Sequence, residues 1–390
     1  MEAELAHPTE RRLIDAALGL VDVAAAAAFR GADPYDGLWH RWPGPVVGGR
    51  RRRQAIVQLH ARSPVDIRRL YRRGHPVIPK TLGIFGSVGA RLVRLTSAER
   101  PRELSVRALD LLMTDVAAGP RAWGYPWDVQ TRWSFYPAGS PNVVVTTFAA
   151  AGLRDGAATA RRPAYAERAE RAALWALDEL WVEPDGYFGY HPGRPVNIHN
   201  ANLLGAWLVD RAFGSDAEVR RRVARAVERT LAAQRPDGSW PYGEGRDLEW
   251  ADSFHTGYVL TLLDALDGVD PRVGDALARG ARHYRGFFDP AGRALLWSHR
   301  RFPEDAHSAG TGLTTLSTLL RRDLVERDLL ERVAARTLSA GLRDGHAIHR
   351  RYRWGTTRTA YVRWCDAHVA LGLADAATTL RAVAPPAPGP

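Results

Sequence analysis

The order of segments along the chain predicts an all-α protein, an (α/α)6 toroid of about six helical hairpins. Two observations carry this. Charged amphipathic segments alternate with nearly uncharged apolar ones, and short aromatic loops recur before the apolar ones. In segment 216–234, Val219, Val223, Val227 and Leu231 recur every fourth residue, while Arg220, Arg221, Arg222, Arg225, Glu228 and Arg229 fill the other faces. A helix with that pattern buries one stripe and leaves the rest in water. Segments near 103–117, 163–182, 272–288 and 323–341 read the same way. Segments near 143–153, 200–213, 253–267, 307–320 and 358–374 carry far fewer charges, as expected of helices buried nearly all round. Outer then inner thus repeats five times. The N-terminal stretches 9–29 and 52–73 supply a sixth pair, with Pro64 breaking or kinking its second member.

The loops support the same reading. Trp123-Gly-Tyr125, Phe188-Gly-Tyr190 and Trp240-Pro-Tyr242 each precede an inner helix. Repetition at the period of a helical pair marks stacked units, and a closed ring needs no capping ends. Val143-Val144-Val145 is β-branched and fits a short strand. Asn142 as a cap, with the pattern continuing from Phe148 to Leu153, favours the start of an inner helix. One domain spans 1–383, and 384–390 is a Pro/Ala/Gly tail without a packing pattern.

Bulk properties narrow the class. The 390 residues are 45% hydrophobic, enough for a large core. No run approaches the ~20 apolar residues that span a bilayer. The apolar stretch Ala16 to Phe29 is interrupted by Asp22 and follows Glu2, Glu4, Glu10 and Asp15, unlike a secretory leader. The expectation is a cytoplasmic protein with no membrane span. Cys365 is the sole cysteine, which excludes an intrachain disulfide and a Cys-rich zinc site. The net charge is +11, and Lys80 is the only lysine. That charge suits an anionic partner, and it also follows from the codon bias of a GC-rich genome. The arginines are spread along helices without a compact basic and aromatic module, so no nucleic-acid partner is expected.

Polar residues gather where the inner helices start. Asn197-Ile-His199-Asn200-Ala-Asn202 opens one, Asp252-Ser-Phe-His255-Thr256 the next and Asp305-Ala-His307-Ser308 a third. Each pairs an Asx residue with a histidine two or three positions on. Asp252, Asp305 and Asn200 fit ordinary N-caps, but caps do not require histidine. In a toroid these starts converge on one mouth, where helix N-termini favour an anionic ligand and disfavour protonated histidine. A neutral histidine near pH 7 is a usable general base. The expected catalytic set is therefore His199, His255, His307, Asp252, Asp128 and Tyr361, with Glu249 and Asp305 as substitute acids. The loop Trp123-Gly-Tyr125-Pro-Trp127-Asp128-Val-Gln130-Thr-Arg132-Trp133 offers aromatic faces for sugar rings beside hydrogen-bonding groups, and Asp33-Pro-Tyr35-Asp36-Gly-Leu-Trp39 has similar character. Tyr361, Trp364 and His368, spaced i, i+3, i+7, share one helical face. The expected substrate-binding set is Trp123, Tyr125, Arg132, Asn142, Tyr190, Asn197, Asn200, Asn202, Trp250, Arg363, Trp364 and His368. His199, His255, His307 and Asp252 lack metal-ligand spacing of the H-x-x-x-H kind, so no metal is expected, and no cofactor.

The run Gln234-Arg-Pro-Asp-Gly238-Ser-Trp240 resembles the Q-x-x-x-G-x-W repeat of terpenoid cyclases, which are α/α toroids; their D-x-D-D acid motif is absent. A wider set resembles a group of poorly characterised bacterial toroid proteins associated with exopolysaccharide clusters. It comprises Pro79-Lys-Thr-Leu, Trp123-Gly-Tyr-Pro, Pro141-Asn-Val-Val-Val-Thr, His199-Asn-Ala-Asn-Leu-Leu, Asp252-Ser-Phe-His-Thr-Gly, Ala306-His-Ser and Tyr361-Val-Arg-Trp. That group is similar in architecture to six-hairpin glycosidases, sugar 2-epimerases and the toroidal part of uronyl C5-epimerases. The resemblance runs from about residue 33 to 375 and implies a glycan context without assigning catalytic residues.

The function expected is a carbohydrate-active enzyme acting on a glycan or glycosyl intermediate by His/Tyr acid–base chemistry, of epimerase or lyase type. Arg132 or Arg363 would hold a carboxylate. The alternatives are an inverting glycoside hydrolase using Asp128 and Asp252 about 6.5–9.5 Å apart, a terpenoid-cyclase-like toroid, and a non-catalytic glycan-binding protein.

Overall fold

The computed structural model describes residues 8–40, 46, 48–63, 65–70, 74–114, 119, 121–132 and 134–383. Pro64, Trp133 and the 384–390 tail lie outside them. The chain is an (α/α)6 toroid. Its outer layer is α1 (Pro8–Ala26), α4 (Glu99–Met113), α6 (Pro163–Glu179), α8 (Ala217–Ala232), α10 (Val273–Tyr284) and α12 (Arg327–Ala340). Its inner layer is α3 (Pro79–Thr96), α5 (Val143–Ala160), α7 (His199–Phe213), α9 (Ser253–Ala265), α11 (Ala306–Leu320) and α13 (Ala367–Ala382). Each inner helix packs on the next, and α13 packs back on α3 to close the ring.

The two layers follow from the two patterns. In α8 the buried residues include Val219, Val223, Val227 and Leu231, the stripe that the sequence predicts. In α11 nearly every residue is buried. Asn142 caps α5, accepting the Val145 N–H at 3.0 Å, so the valine run starts a helix and not a strand.

The sixth pair differs from expectation. Its inner member is α3, where the sequence periodicity marks no element. Helix α2 (Arg50–Arg62) stands outside the ring and packs on the 36–38 turn and on β1 (Val129–Gln130). The reason is glycine. Gly83, Gly86 and Gly89 weaken the helical signal of α3, yet they let backbones touch. A Cβ on Gly83 would sit 2.2 Å from the Phe148 carbonyl oxygen, and one on Gly152 2.1 Å from that of Gly83.

At the end where the inner helices begin, the connections form short antiparallel hairpins. β1 pairs with β2 (Phe135–Tyr136), β3 (Trp181–Val182) with β4 (Tyr187–Phe188), and β7 (Leu342–Arg343) with β8 (His346–Ala347). A four-stranded sheet has the order β10 (Gly355–Thr356), β9 (Arg350–Tyr352), β6 (Arg300–Asp305), β5 (Leu295–Trp297). A π-helical turn over Val362–Asp366 precedes α13. Its wider winding breaks the i, i+3, i+7 register, so Tyr361 does not share a face with Trp364 and His368.

The loop after α1 fastens the ring. Ala32 bridges Tyr361, Arg30 bridges Val77, and the Val362 N–H donates to the Ala32 carbonyl at 3.2 Å. Beside these, Arg363 donates to both oxygens of Asp33 at 2.5 and 2.8 Å, with both side chains buried. Arg68 donates to Asp36 through Nε at 2.7 Å and to the Asp33 carbonyl at 2.5 Å.

Breaking one side of a buried pair strands the other charge. Arg363→Gln is expected to lower unfolding stability by about 3–5 kcal/mol, and Asp33→Asn combined with it should restore much of the loss. Urea unfolding checks this. Equal losses in the single and double variants would mean that the two charges do not act as a pair.

Candidate functional site

The inner-helix starts open on a cavity of about 640 Å³. The repeated aromatic loops build its wall. Their first residues, Trp123, Phe188 and Trp240, are buried in the helical layers. Two residues on, Tyr125 and Tyr190 turn into the cavity, while Tyr242 stacks on the cavity residue Trp250 at 4.3 Å. Gly124 permits this turn, because a Cβ there would lie 2.2 Å from the Ser140 carbonyl oxygen. Tyr35, Trp127, Phe254, Trp297 and Trp364 complete an aromatic lining. Burial raises Tyr125 and Tyr190 above the ordinary phenol range, so both stay protonated near neutral pH. Polar groups between the rings are Gln58, Gln130, Arg132, Asp252, His255, Arg350 and Arg363.

The sharpest chemistry is at the start of α9. Asp252 caps the helix, accepting the His255 backbone N–H at 2.9 Å. The same carboxylate meets His255 Nδ1 at 2.9 Å from both oxygens. A carboxylate accepts, so Nδ1 carries the proton and Nε2 is left as the basic nitrogen. His255 is partly exposed, whereas Asp252 is buried. The rings of Tyr242, Trp250 and Phe254 hold the imidazole.

The three histidines do not share this cavity. His199 is the first residue of α7, His307 the second of α11 and His255 the third of α9. Successive helical residues point about 100° apart, so a shared helix start does not give a shared direction. His199 is fully buried, and neither ring nitrogen has a hydrogen-bond partner among the described residues. Burial holds its pKa down at about 4. His307 lies in the floor. Its Nδ1 is 2.8 Å from the Trp364 carbonyl, its Nε2 3.0 Å from the Tyr258 hydroxyl, and its ring stacks on Trp364 at 4.4 Å. The carbonyl fixes the proton on Nδ1, so Tyr258 donates to Nε2.

Lys80, Phe148 and His368 extend that floor. Lys80 Nζ sits 4.2 Å from the Phe148 ring centre, with no ion pair among the described residues. Burial, with Arg363 nearby, holds Lys80 well below the ordinary lysine value, and burial does the same to His307 and His368. Below the floor lies a second cavity of about 220 Å³, which His368 and Tyr258 line from above.

The mouth brings together Tyr125, Arg132, Tyr190, Trp250, Asp252, His255, Arg363 and Trp364. Other expected residues serve the frame. Asp128 accepts the Ala138 N–H at 2.8 Å and closes the β1–β2 hairpin without lining the cavity. Tyr361 is buried with its hydroxyl on the His60 carbonyl. Trp123 packs under Arg168. Asn142 is a cap, Asn197 donates to Glu244 at 2.7 Å, and Asn202 ties Phe188 N–H to the Ala226 carbonyl. Asn200 is no cap; it lies inside α7 and faces a small recess behind Asp252 and His255. Asp305 caps α11 and accepts from Arg350 at 2.9 Å, while Glu249 is exposed outside the lining. Trp297, Arg350, Tyr258 and Lys80 are outside the expected residues, whereas Tyr35, Trp127 and Gln130 lie in the two aromatic loops that the sequence singles out. Lys80 had a signal, as a lone lysine in an arginine-rich chain opening an apolar segment.

The Gln234-to-Trp240 run also proves structural. Gln234 donates to the Gly238 and Ala276 carbonyls and Trp240 to that of Thr230, joining α8 to α10. Ligand atoms of Asp36, His40 and His60 lie within 4.8 Å of one another, all buried. Arg68 already occupies Asp36, so a cation there would sit against a guanidinium.

No protein-family profile and no curated protein matches the sequence. Solved structures do match. An unsaturated glucuronyl hydrolase from Bacillus sp. GL1 is 14% identical, with a TM-score of 0.65 over 96% of this chain and 97% of its own. A cellobiose 2-epimerase from Bacillus thermoamylovorans is 9% identical, with a TM-score of 0.60 over 77% and 87%. A possible member of the GH105 family from Salmonella enterica is 14% identical, at 0.56 over 77% and 82%. At these identities the likeness establishes the toroid.

His199 provides a pH test of the frame. Its folded pKa of about 4 lies below the unfolded 6.5, so the unfolded chain takes up the proton first. Stability is then lost as pH falls from 6.5 toward 4, by about 1 kcal/mol from this group near pH 5.5. Thermal melts of His199→Leu at pH 7.5 and 5.5 should show a smaller acid-induced drop than wild type. An unchanged drop would contradict the assignment.

Proposed function

We propose that this protein is a carbohydrate-active enzyme that moves a proton at a sugar carbon, with His255 as the base. The observation that carries this is the Asp252–His255 pair on the wall of an aromatic cavity. The carboxylate orients the ring and stabilises the imidazolium that forms when Nε2 takes a proton. Tyr125, Trp127, Tyr190, Trp250 and Trp364 offer flat faces for pyranose rings. Arg132, Arg350 and Arg363 stand where a carboxylate or enediolate would collect negative charge. The solved toroids of similar shape include a sugar epimerase and a glucuronyl hydrolase, which supports a saccharide substrate.

An epimerase or a lyase fits this arrangement better than an inverting hydrolase. The hydrolase needs Asp128 and Asp252 across the scissile bond, and Asp128 is tied to the hairpin outside the lining. A cyclase needs an apolar wall, and this one carries three arginines.

The test is turnover of a panel of uronate-containing and neutral oligosaccharides. His255→Ala should lower the rate by about 10²–10⁴ with the melting temperature nearly unchanged. Asp252→Ala should also lower the rate, and the lost cap should cost stability by about 0.5–2 kcal/mol. Native turnover by His255→Ala would remove it from the mechanism.

A further inference from the structure

The cavity does not end at its rim. Arg350 lines it and opens β9, where alternate residues share a face. Tyr352 follows on that face. The β9–β10 turn then carries Trp354, 80% exposed, the most exposed large aromatic among the described residues. The Tyr352 and Trp354 rings stack at 5.0 Å and 11°, so the tryptophan is held flat against the strand. Exposing an indole to water forfeits burial unless something covers it. The tip of the neighbouring β5–β6 hairpin lies at the same end of the sheet. Trp297 lines the cavity, and Arg300 lies across from it in the strand register. Arg300, Arg301 and Arg353 are exposed and make no ion pair among the described residues.

We propose that this four-stranded sheet is an apron that binds an extended acidic polysaccharide, one part of which enters the cavity. The inference rests on the glycan reading above and adds polymer length and charge to it. Stacked aromatic rings continuous with the cavity wall suit successive sugar rings. The uncompensated arginines at the two adjacent hairpin tips suit repeated carboxylates or sulfates. Arg350 to Tyr352 spans about 7 Å at strand rise, and Trp354 lies beyond it in the turn, so the surface is longer than one pyranose.

Calorimetric titration of the full chain tests this with four probes: a galacturonate disaccharide and octasaccharide, and cellobiose and a cello-octaose. The acidic octasaccharide should bind more tightly than the disaccharide. Trp354→Ala should weaken the octasaccharide by about tenfold, the scale of one aromatic contact, and leave the disaccharide unchanged. Arg300→Ala with Arg353→Ala should flatten the salt dependence of octasaccharide binding. These residues sit on an exposed hairpin tip and turn, and matching circular dichroism melts establish that each variant is folded. Equal affinities for the two acidic probes, or octasaccharide binding unaffected by Trp354→Ala, would overturn the apron and leave the cavity reading standing. Tighter binding of the neutral pair would overturn the acidic assignment. No binding by any probe, or disaccharide binding unaffected by Trp250→Ala in the cavity, would overturn both.

Discussion

The buried contact between Asp33 and Arg363 is where the ring and the mouth depend on one another. A toroid must join the first and last turns of its chain, and no helix–turn–helix connection does that for it. Here a short loop reaches both ends. Ala32 pairs with Tyr361 ahead of the last inner helix, and Arg30 pairs with Val77 ahead of the first. Two charges buried together are costly to bring out of water and more costly to separate, so this contact fixes a geometry. That geometry is also the cavity's. Arg363 lies 5.0 Å from the Tyr125 ring centre and 5.2 Å from that of Trp364, so the closing arginine also sets two aromatic walls.

The mouth and the floor below it separate two kinds of titratable group. At the mouth, His255 has a carboxylate partner and contact with the cavity. In the floor, Lys80, His307 and His368 have burial, aromatic neighbours and no carboxylate ion pair among the described residues. Burial without a counter-charge favours the neutral form of a base. The floor therefore disfavours positive charge, with Tyr258 joining His307 to His368 across the axis. His255 thus has a carboxylate 2.9 Å from its Nδ1, whereas the floor groups have none in ion-pair range among the described residues.

Much of the fold was legible because layering leaves a mark in composition. Outer helices such as α8 must show charge on three faces, and inner ones such as α11 must not. Helix α3 escaped because its signal is carried by glycines, which lower propensity in a linear reading and gain their meaning only against Phe148, Ser105 and Leu109. The site was partly legible for the same reason. The repeated Tyr of the aromatic loops and the Asp252–His255 spacing are local patterns, and they identify the cavity residues Tyr125, Tyr190, Asp252 and His255. In sequence, His199 and His307 follow their Asx residues by two positions and His255 by three, which separates only His255 from the others. Reading three directions from three helix starts requires the helix boundaries. Tyr352 and Trp354 gave no signal, because a strand of three residues in an all-α chain has no periodicity to read.

As the proposed base, His255 takes a proton from a sugar carbon through Nε2. Solvent isotope exchange tests it directly. The protein is incubated in D2O with the oligosaccharide panel, and each sugar is analysed by NMR and mass spectrometry. Deuterium should enter at a single ring carbon with wild type and not with His255→Ala. Cleavage that places oxygen from water at a new reducing end, with no deuterium at any ring carbon, would contradict it.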